Sequence, residues 1–281
     1  MAKRKRTTSQ TTIEKRINEN RGQGRGSNYQ PWLLIQDVPS QGLATRIKGW
    51  KTKRGHHLLS NLELSYFYVL EWSPIVFDIR EQYPLLPLEE TLAIAEQCGI
   101  RHPTDPNTKE PVVMTTDFLI TVPRSIEVIE QARTLKSAKD LQSQRTIEKL
   151  EIERRYWQGR DIDWGIVTER EIPEALAKNV EWLHPFFETE NLSFLSHYEI
   201  ERITAALTLK IAKDNAPLAD IAADCDDLLG LQPGTSLSVS RYLLANRRWL
   251  VDMNRLIQPS KPLVLINAPS TESYKAAGGA G

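Results

Sequence analysis

The 281-residue chain predicts a mixed α/β (α+β) domain followed by an all-α, winged-helix domain. Three observations carry this reading. Short apolar, β-branched runs alternate with segments of helical period as far as about residue 170. Beyond that point helices dominate, and a helix, a glycine-bounded turn and a second helix precede two short apolar runs. Among the early strands, Met114–Ile120 carries a single charge, Asp117, which costs much desolvation free energy unless a cation, a donor or water meets it.

Hydrophobic residues make up 40% of the chain and charged residues 26%, with a formal net charge of zero. That composition fits a soluble globular protein and argues against a purely basic nucleic-acid binder. No apolar run approaches the roughly 20 residues that span a bilayer, and the N-terminal Met-Ala-Lys-Arg-Lys-Arg lacks a signal peptide's apolar core. Two distant cysteines, Cys98 and Cys225, argue against a disulfide framework or a cysteine zinc site and place the chain in a reducing cytoplasm. The histidines lack His-Glu-x-x-His spacing, and neither a Gly-x-Ser-x-Gly elbow nor a phosphate loop occurs.

In chain order, residues 1–30 read as a basic, flexible arm with a short helix around Thr12–Asn20. Residues 1–26 hold eight Lys or Arg against two acids, so Arg4, Arg6 and Arg25 are candidate DNA contacts. Residues 31–170 form the expected catalytic domain. Pro31–Ile35 predicts a strand. Arg46–Trp50 and the basic turn Lys51–His57 predict a hairpin in which Lys51, Lys53 and Arg54 face DNA or merely solvent. Ser60 or Asn61 caps a helix running to Trp72, apolar almost all round, which puts Glu63 in or beside the core. Strands follow at Ile75–Arg80, Met114–Ile120, about Ile126–Leu135 and Trp164–Thr168, with helices at Glu89–Cys98 and Leu141–Gly159. Residues 171–268 form the helical domain: Pro217–Leu229, a turn at Gly230–Gly234, Ser236–Arg248, then a wing pairing Trp249–Met253 with Lys261–Ile266. Arg241 and Arg247 on its second helix are further candidate DNA contacts. Residues 269–281 read as a disordered tail.

Glu63, Asp117 and Lys136 have the residue types that phosphodiester hydrolysis needs. Two carboxylates and the Leu135 carbonyl offer hard oxygens to one or two Mg²⁺ or Mn²⁺ ions, and Lys136 supplies a cation for developing charge. A strand-borne acid followed by a strand ending in a polar-x-Lys element is the arrangement of restriction-type nucleases. Spacing alone does not separate it from chance.

Longer stretches carry a more specific signal. Arg21-Gly-Gln-Gly-Arg-Gly with Tyr29-Gln-Pro-Trp32, Gly55-His-His-Leu-Leu-Ser-Asn-Leu-Glu63, Asp78-Ile-Arg-Glu-Gln-Tyr-Pro, Met114-Thr-Thr-Asp117-Phe-Leu and Arg145-Thr-Ile-Glu-Lys-Leu-Glu-Ile-Glu-Arg-Arg-Tyr-Trp157 resemble the TnsA family, endonuclease subunits of heteromeric cut-and-paste transposases. The resemblance covers most of residues 12–185. It implies a restriction-endonuclease-like fold, catalysis by Glu63, Asp117 and Lys136, and Mg²⁺-dependent cleavage of a transposon's 5′ ends, the non-transferred strands. It also implies work alongside a TnsB-like transposase and a TnsC-like regulatory ATPase on transposon-end DNA. In the family pattern a Gln stands two positions before the Lys; here that position is Thr134, which leaves Lys139 as a rival to Lys136. The competing class is a non-catalytic DNA-binding or assembly subunit built on a decayed nuclease fold.

Overall fold

Ser9 accepts a hydrogen bond from the Thr12 amide (3.2 Å) and starts α1 (Gln10–Asn18), whose Ile13 packs with Trp32 and Val113. Segment 9–30 therefore differs from the flexible arm its charge predicts. Ile13 and Tyr29 are buried, and Tyr29 donates to the Glu81 carbonyl at 3.0 Å. The computed structural model describes residues 9–38, 44–124 and 127–266; Arg4 and Arg6 lie outside them, as does the tail. The strand expected at 31–35 is instead a bend and a 3₁₀ turn, Ile35–Asp37. The Asp37 carboxylate accepts from Arg21 (2.5 Å) and the Leu34 amide (3.1 Å), while the Trp32 amide goes to the Gln82 carbonyl (3.2 Å) and the Ile35 amide to His57 Nδ1 (3.2 Å), so turn bonds and bonds from distant segments override β-propensity.

Strands β1 (Thr45–Lys48) and β2 (Gly55–Leu58) make the predicted hairpin, with Arg46 opposite His57. Ser60 caps α2 (Asn61–Trp72) through the Glu63 amide (3.1 Å). Strand β3 (Asp78–Pro84) follows three residues later than Ile75–Arg80 predicts, because Ile75 and Phe77 are exposed on the approach. Next come α3 (Leu88–Gln97), β4 (Thr115–Arg124), β5 (Glu127–Leu135), α4 (Gln144–Gln158) and β6 (Asp163–Val167). The sheet order is β3-β4-β5-β6: the first three pair antiparallel and β6 lies parallel to β5, reached through α4. Leu85, Leu119, Ala132, Tyr156 and Trp157 form a buried cluster between this sheet and α4. The Tyr66 ring of α2 meets Phe118 edge-on at 5.7 Å. These elements make one compact unit, ending at Ile172.

The second unit begins at Pro173 and is helical: α5 (Glu174–Leu183), α6 (His197–Lys213), α7 (Leu218–Leu229) and α8 (Thr235–Ala245). Ile203, Leu207, Val239 and Leu243 are fully buried within it. Gly230, at φ +66°, ends α7 in the left-handed conformation, and the Asp226 carboxylate ties the following turn to the Gly234 (2.7 Å) and Ser236 (2.8 Å) amides. The helix-turn-helix is present, but the predicted wing differs: among the described residues after α8 there is no strand. Ile266 N does reach the Leu250 carbonyl (2.7 Å). However, the Pro259 and Lys261 carbonyls accept the Ala219 and Leu218 amides at the start of α7, and Asn179 takes the Met253 and Arg255 carbonyls. No helix of the described residues is long and apolar enough to cross a membrane.

Candidate active site

The start of α2 fixes Glu63. As its third residue, Glu63 turns back on the cap: Oε1 accepts from Ser60 Oγ (2.9 Å) and Oε2 from the Leu59 amide (2.9 Å). Gln82 Nε2 donates to the same Oε2 at 3.1 Å. The carboxyl is buried, and burial with the nearby Asp117 charge pushes its pKa up to about 7. A cation placed between the two carboxyls would offset the Asp117 charge that Glu63 feels.

Asp117 stands on β4 beside the end of β5. Its Oδ2 accepts from the Leu135 amide (2.6 Å) and from Lys136 Nζ (3.4 Å), and Nζ also donates to the Leu135 carbonyl (2.7 Å). The Lys136 main chain continues the parallel ladder, its amide reaching the Val167 carbonyl at 3.2 Å. The Asp117 charge raises the Lys136 pKa, so the ammonium stays charged. Lys139 is exposed at the start of a 3₁₀ turn, Asp140–Gln142. The structure thus brings Glu63, Asp117, the Leu135 carbonyl and Lys136 together. The Thr134 hydroxyl donates to the buried Glu153, whose carboxyl lies near enough for its charge to act on Lys136 and for the Asp117 charge to act on it.

Glu153 and Gln82 are the residues sequence reasoning missed. Glu153 Oε1 also accepts from Thr116 Oγ1 (2.6 Å) and Trp164 Nε1 (3.1 Å), and burial pushes its pKa up to about 7. Its place three and four residues before Tyr156 and Trp157, on the apolar stripe of α4, is the signal that marks it as inward-facing. Nothing in the sequence around Gln82 marks it.

The candidate DNA contacts separate into two groups. Arg54 is consumed internally: it donates to both oxygens of the fully buried Glu81 (2.8 and 2.5 Å), which also takes His56 Nδ1 (2.7 Å) and the His57 amide (3.0 Å). Burial opposes ionisation of Glu81, but these cations and donors hold its pKa well below the carboxylate range. Arg241 donates to the Trp182 carbonyl (3.0 Å) with its guanidinium 3.8 Å from the Phe186 ring centre, and burial lowers its pKa to about 10. Lys51 Nζ caps the Ser73 carbonyl at the end of α2 (2.7 Å), and Arg25 pairs with Glu130 (2.7 Å). Lys53 and Arg247 are exposed.

Among the described residues no group of three or more His, Cys, Asp or Glu gathers as a metal cage. The donor set is two carboxylates and one main-chain carbonyl, which fits a hard divalent ion that keeps several waters.

Acids and a lysine converging at the end of a mixed sheet, followed by a helical unit, fit a DNA endonuclease. Family models agree: the TnsA-like endonuclease N-terminal model matches residues 73–169 and the TnsA endonuclease C-terminal model residues 171–253. The transposon Tn7 transposition protein TnsA of Escherichia coli is 42% identical over 246 residues, covering 88% of this chain and 87% of that protein. The chain belongs to the TnsA family and is the endonuclease subunit of a Tn7-type transposition system.

Proposed function

We propose that the chain is a Mg²⁺-dependent endonuclease that cuts the 5′ ends, the non-transferred strands, of a transposon within a heteromeric transposase in the cytoplasm. The observation that carries this reading is the convergence of Asp117 with Lys136 and the Leu135 carbonyl beside a buried Glu63 that feels the Asp117 charge. Glu63, Asp117 and the Leu135 carbonyl would hold Mg²⁺ or Mn²⁺, one or two ions. When bound, the ion supplies a Lewis acid and a water of lowered pKa.

The chain's own residues supply the remainder. The Leu135 amide holds one Asp117 oxygen in place. The Lys136 ammonium stays charged beside it and moves to the negative charge that develops on the phosphate during attack. Burial of Glu63 keeps water from competing for its carboxylate. With a neutral chain and several basic side chains committed internally, DNA recognition falls largely to partners: a TnsB-like transposase that processes the 3′ ends and a TnsC-like ATPase that regulates both.

Strand-specific mapping of cleavage at transposon ends tests the proposal. Asp117→Ala should abolish 5′-strand cleavage while the partner still joins 3′ ends; complete excision on both strands would overturn it. Lys136→Ala should lose about 100-fold or more in 5′ cleavage rate, the scale of one preorganised charge, while Lys139→Ala stays near wild type.

A further inference from the structure

The pairing of β3 with β4 leaves one pair of facing residues out of the ladder. The register runs from Asp78↔Thr121 to Glu81↔Phe118 and resumes from Tyr83↔Thr116 to Pro84↔Thr115. Gln82 falls between, directly across from Asp117, and is the β3 residue with a left-handed backbone, φ +50°. Such a conformation in a non-glycine residue persists only where the surroundings impose it, and it concentrates at functional sites.

The surroundings here are specific. The Gln82 carbonyl accepts the Trp32 amide (3.2 Å), so the N-terminal segment holds the turned peptide. Its side chain is 2% exposed. Nε2 donates to Glu63 Oε2 (3.1 Å), and Oε1 accepts from Thr115 Oγ1 (3.3 Å). The amide nitrogen is thus the end that faces Glu63, and the amide oxygen is held by Thr115.

We propose that Gln82 is a positioning residue for the active site: its twisted backbone aims a buried amide at Glu63 and fixes that carboxylate's orientation opposite Asp117. It acts through Glu63, and the inference rests on the metal reading above. Partners of this kind orient ligand carboxylates, and their loss weakens metal binding by about 10- to 100-fold.

Gln82→Gly and Gln82→Ala separate the amide from the backbone. If the left-handed backbone were the residue's whole role, glycine would serve at least as well. Mn²⁺ binding to the full chain, measured by isothermal titration calorimetry without DNA and alongside thermal melting, distinguishes the two roles. Both variants should bind Mn²⁺ about tenfold more weakly while still unfolding in a cooperative melt, with Asp117→Ala showing no binding. Wild-type affinity in Gln82→Gly, with Asp117→Ala still silent, overturns the role of Gln82 and leaves the metal reading standing. Loss of the fold in Gln82→Gly also overturns it, by making the side chain structural. Equal binding by wild type and Asp117→Ala overturns the metal reading and this inference with it.

Discussion

Glu153 shows how a single residue can be silent in the sequence and decisive in the fold. It reads as one of many charges on α4, yet it is 3% exposed and gathers Thr116, Thr134 and Trp164 beneath the Asp117 strand. Burial raises its pKa from the ordinary 4.5 to about 7. Below pH 4.5 the group is protonated whether the chain is folded or unfolded. Between 4.5 and 7 the unfolded chain releases the proton first, so stability falls as pH rises, and above 7 the loss is complete. The difference amounts to about 3 kcal/mol. Glu153→Gln should therefore gain stability over wild type as pH rises from 4.5 to 7, checked by urea melts across that range; parallel pH profiles would refute it. By contrast, Asp117 and Glu63 were legible, because an acid amid apolar neighbours stands out wherever it occurs. What the sequence could not show was the partner: Arg54 looks like any cation of a basic turn until Glu81 is placed against it.

At the scale of elements, periodicity and caps located α2, α4, α7 and α8, whereas hydrogen bonds between distant segments decided the failures at 31–35 and in the wing. Both failures are apolar runs whose amides or carbonyls are claimed from elsewhere. The hairpin follows the same logic. Glu71, buried on α2, accepts the Trp50 (2.5 Å) and Lys51 (3.3 Å) amides and so pins the hairpin's turn to the helix that carries Glu63. Glu71→Ala leaves two donors without that acceptor and should cost about 1–3 kcal/mol. Hydrogen exchange at Trp50 and Lys51 should quicken out of proportion to the rest of β1 and β2; uniform quickening would mean global destabilisation instead. In α8, Arg241→Gln should lower the melting temperature of the helical unit while leaving the salt dependence of DNA binding unchanged, because the guanidinium is committed to Trp182 and Phe186. A shallower salt slope in that variant would return Arg241 to the DNA interface.

For the whole molecule, the change from strand to helix near residue 170 was visible in the sequence, and the two compact units meet in the chain between Ile172 and Pro173. Each has its own buried core, with Leu119 and Trp157 in one and Leu207 and Val239 in the other. Scanning calorimetry of the chain should resolve two unfolding transitions, and Leu207→Ala should lower only one of them; a single transition shifted as a whole would show that the units unfold together.

The way α2 begins has one more consequence, which concerns lone pairs. A carboxylate offers about four, and three of those on Glu63 already receive Ser60, Leu59 and Gln82. Glu63 can thus serve a further acceptor role through about one lone pair, as a one-point ligand. Grasping an ion with both oxygens would require the helix to surrender part of its first turn. The side chain that ties down the start of α2 and the side chain that would bind metal are the same, so strength gained in one role is limited by the other.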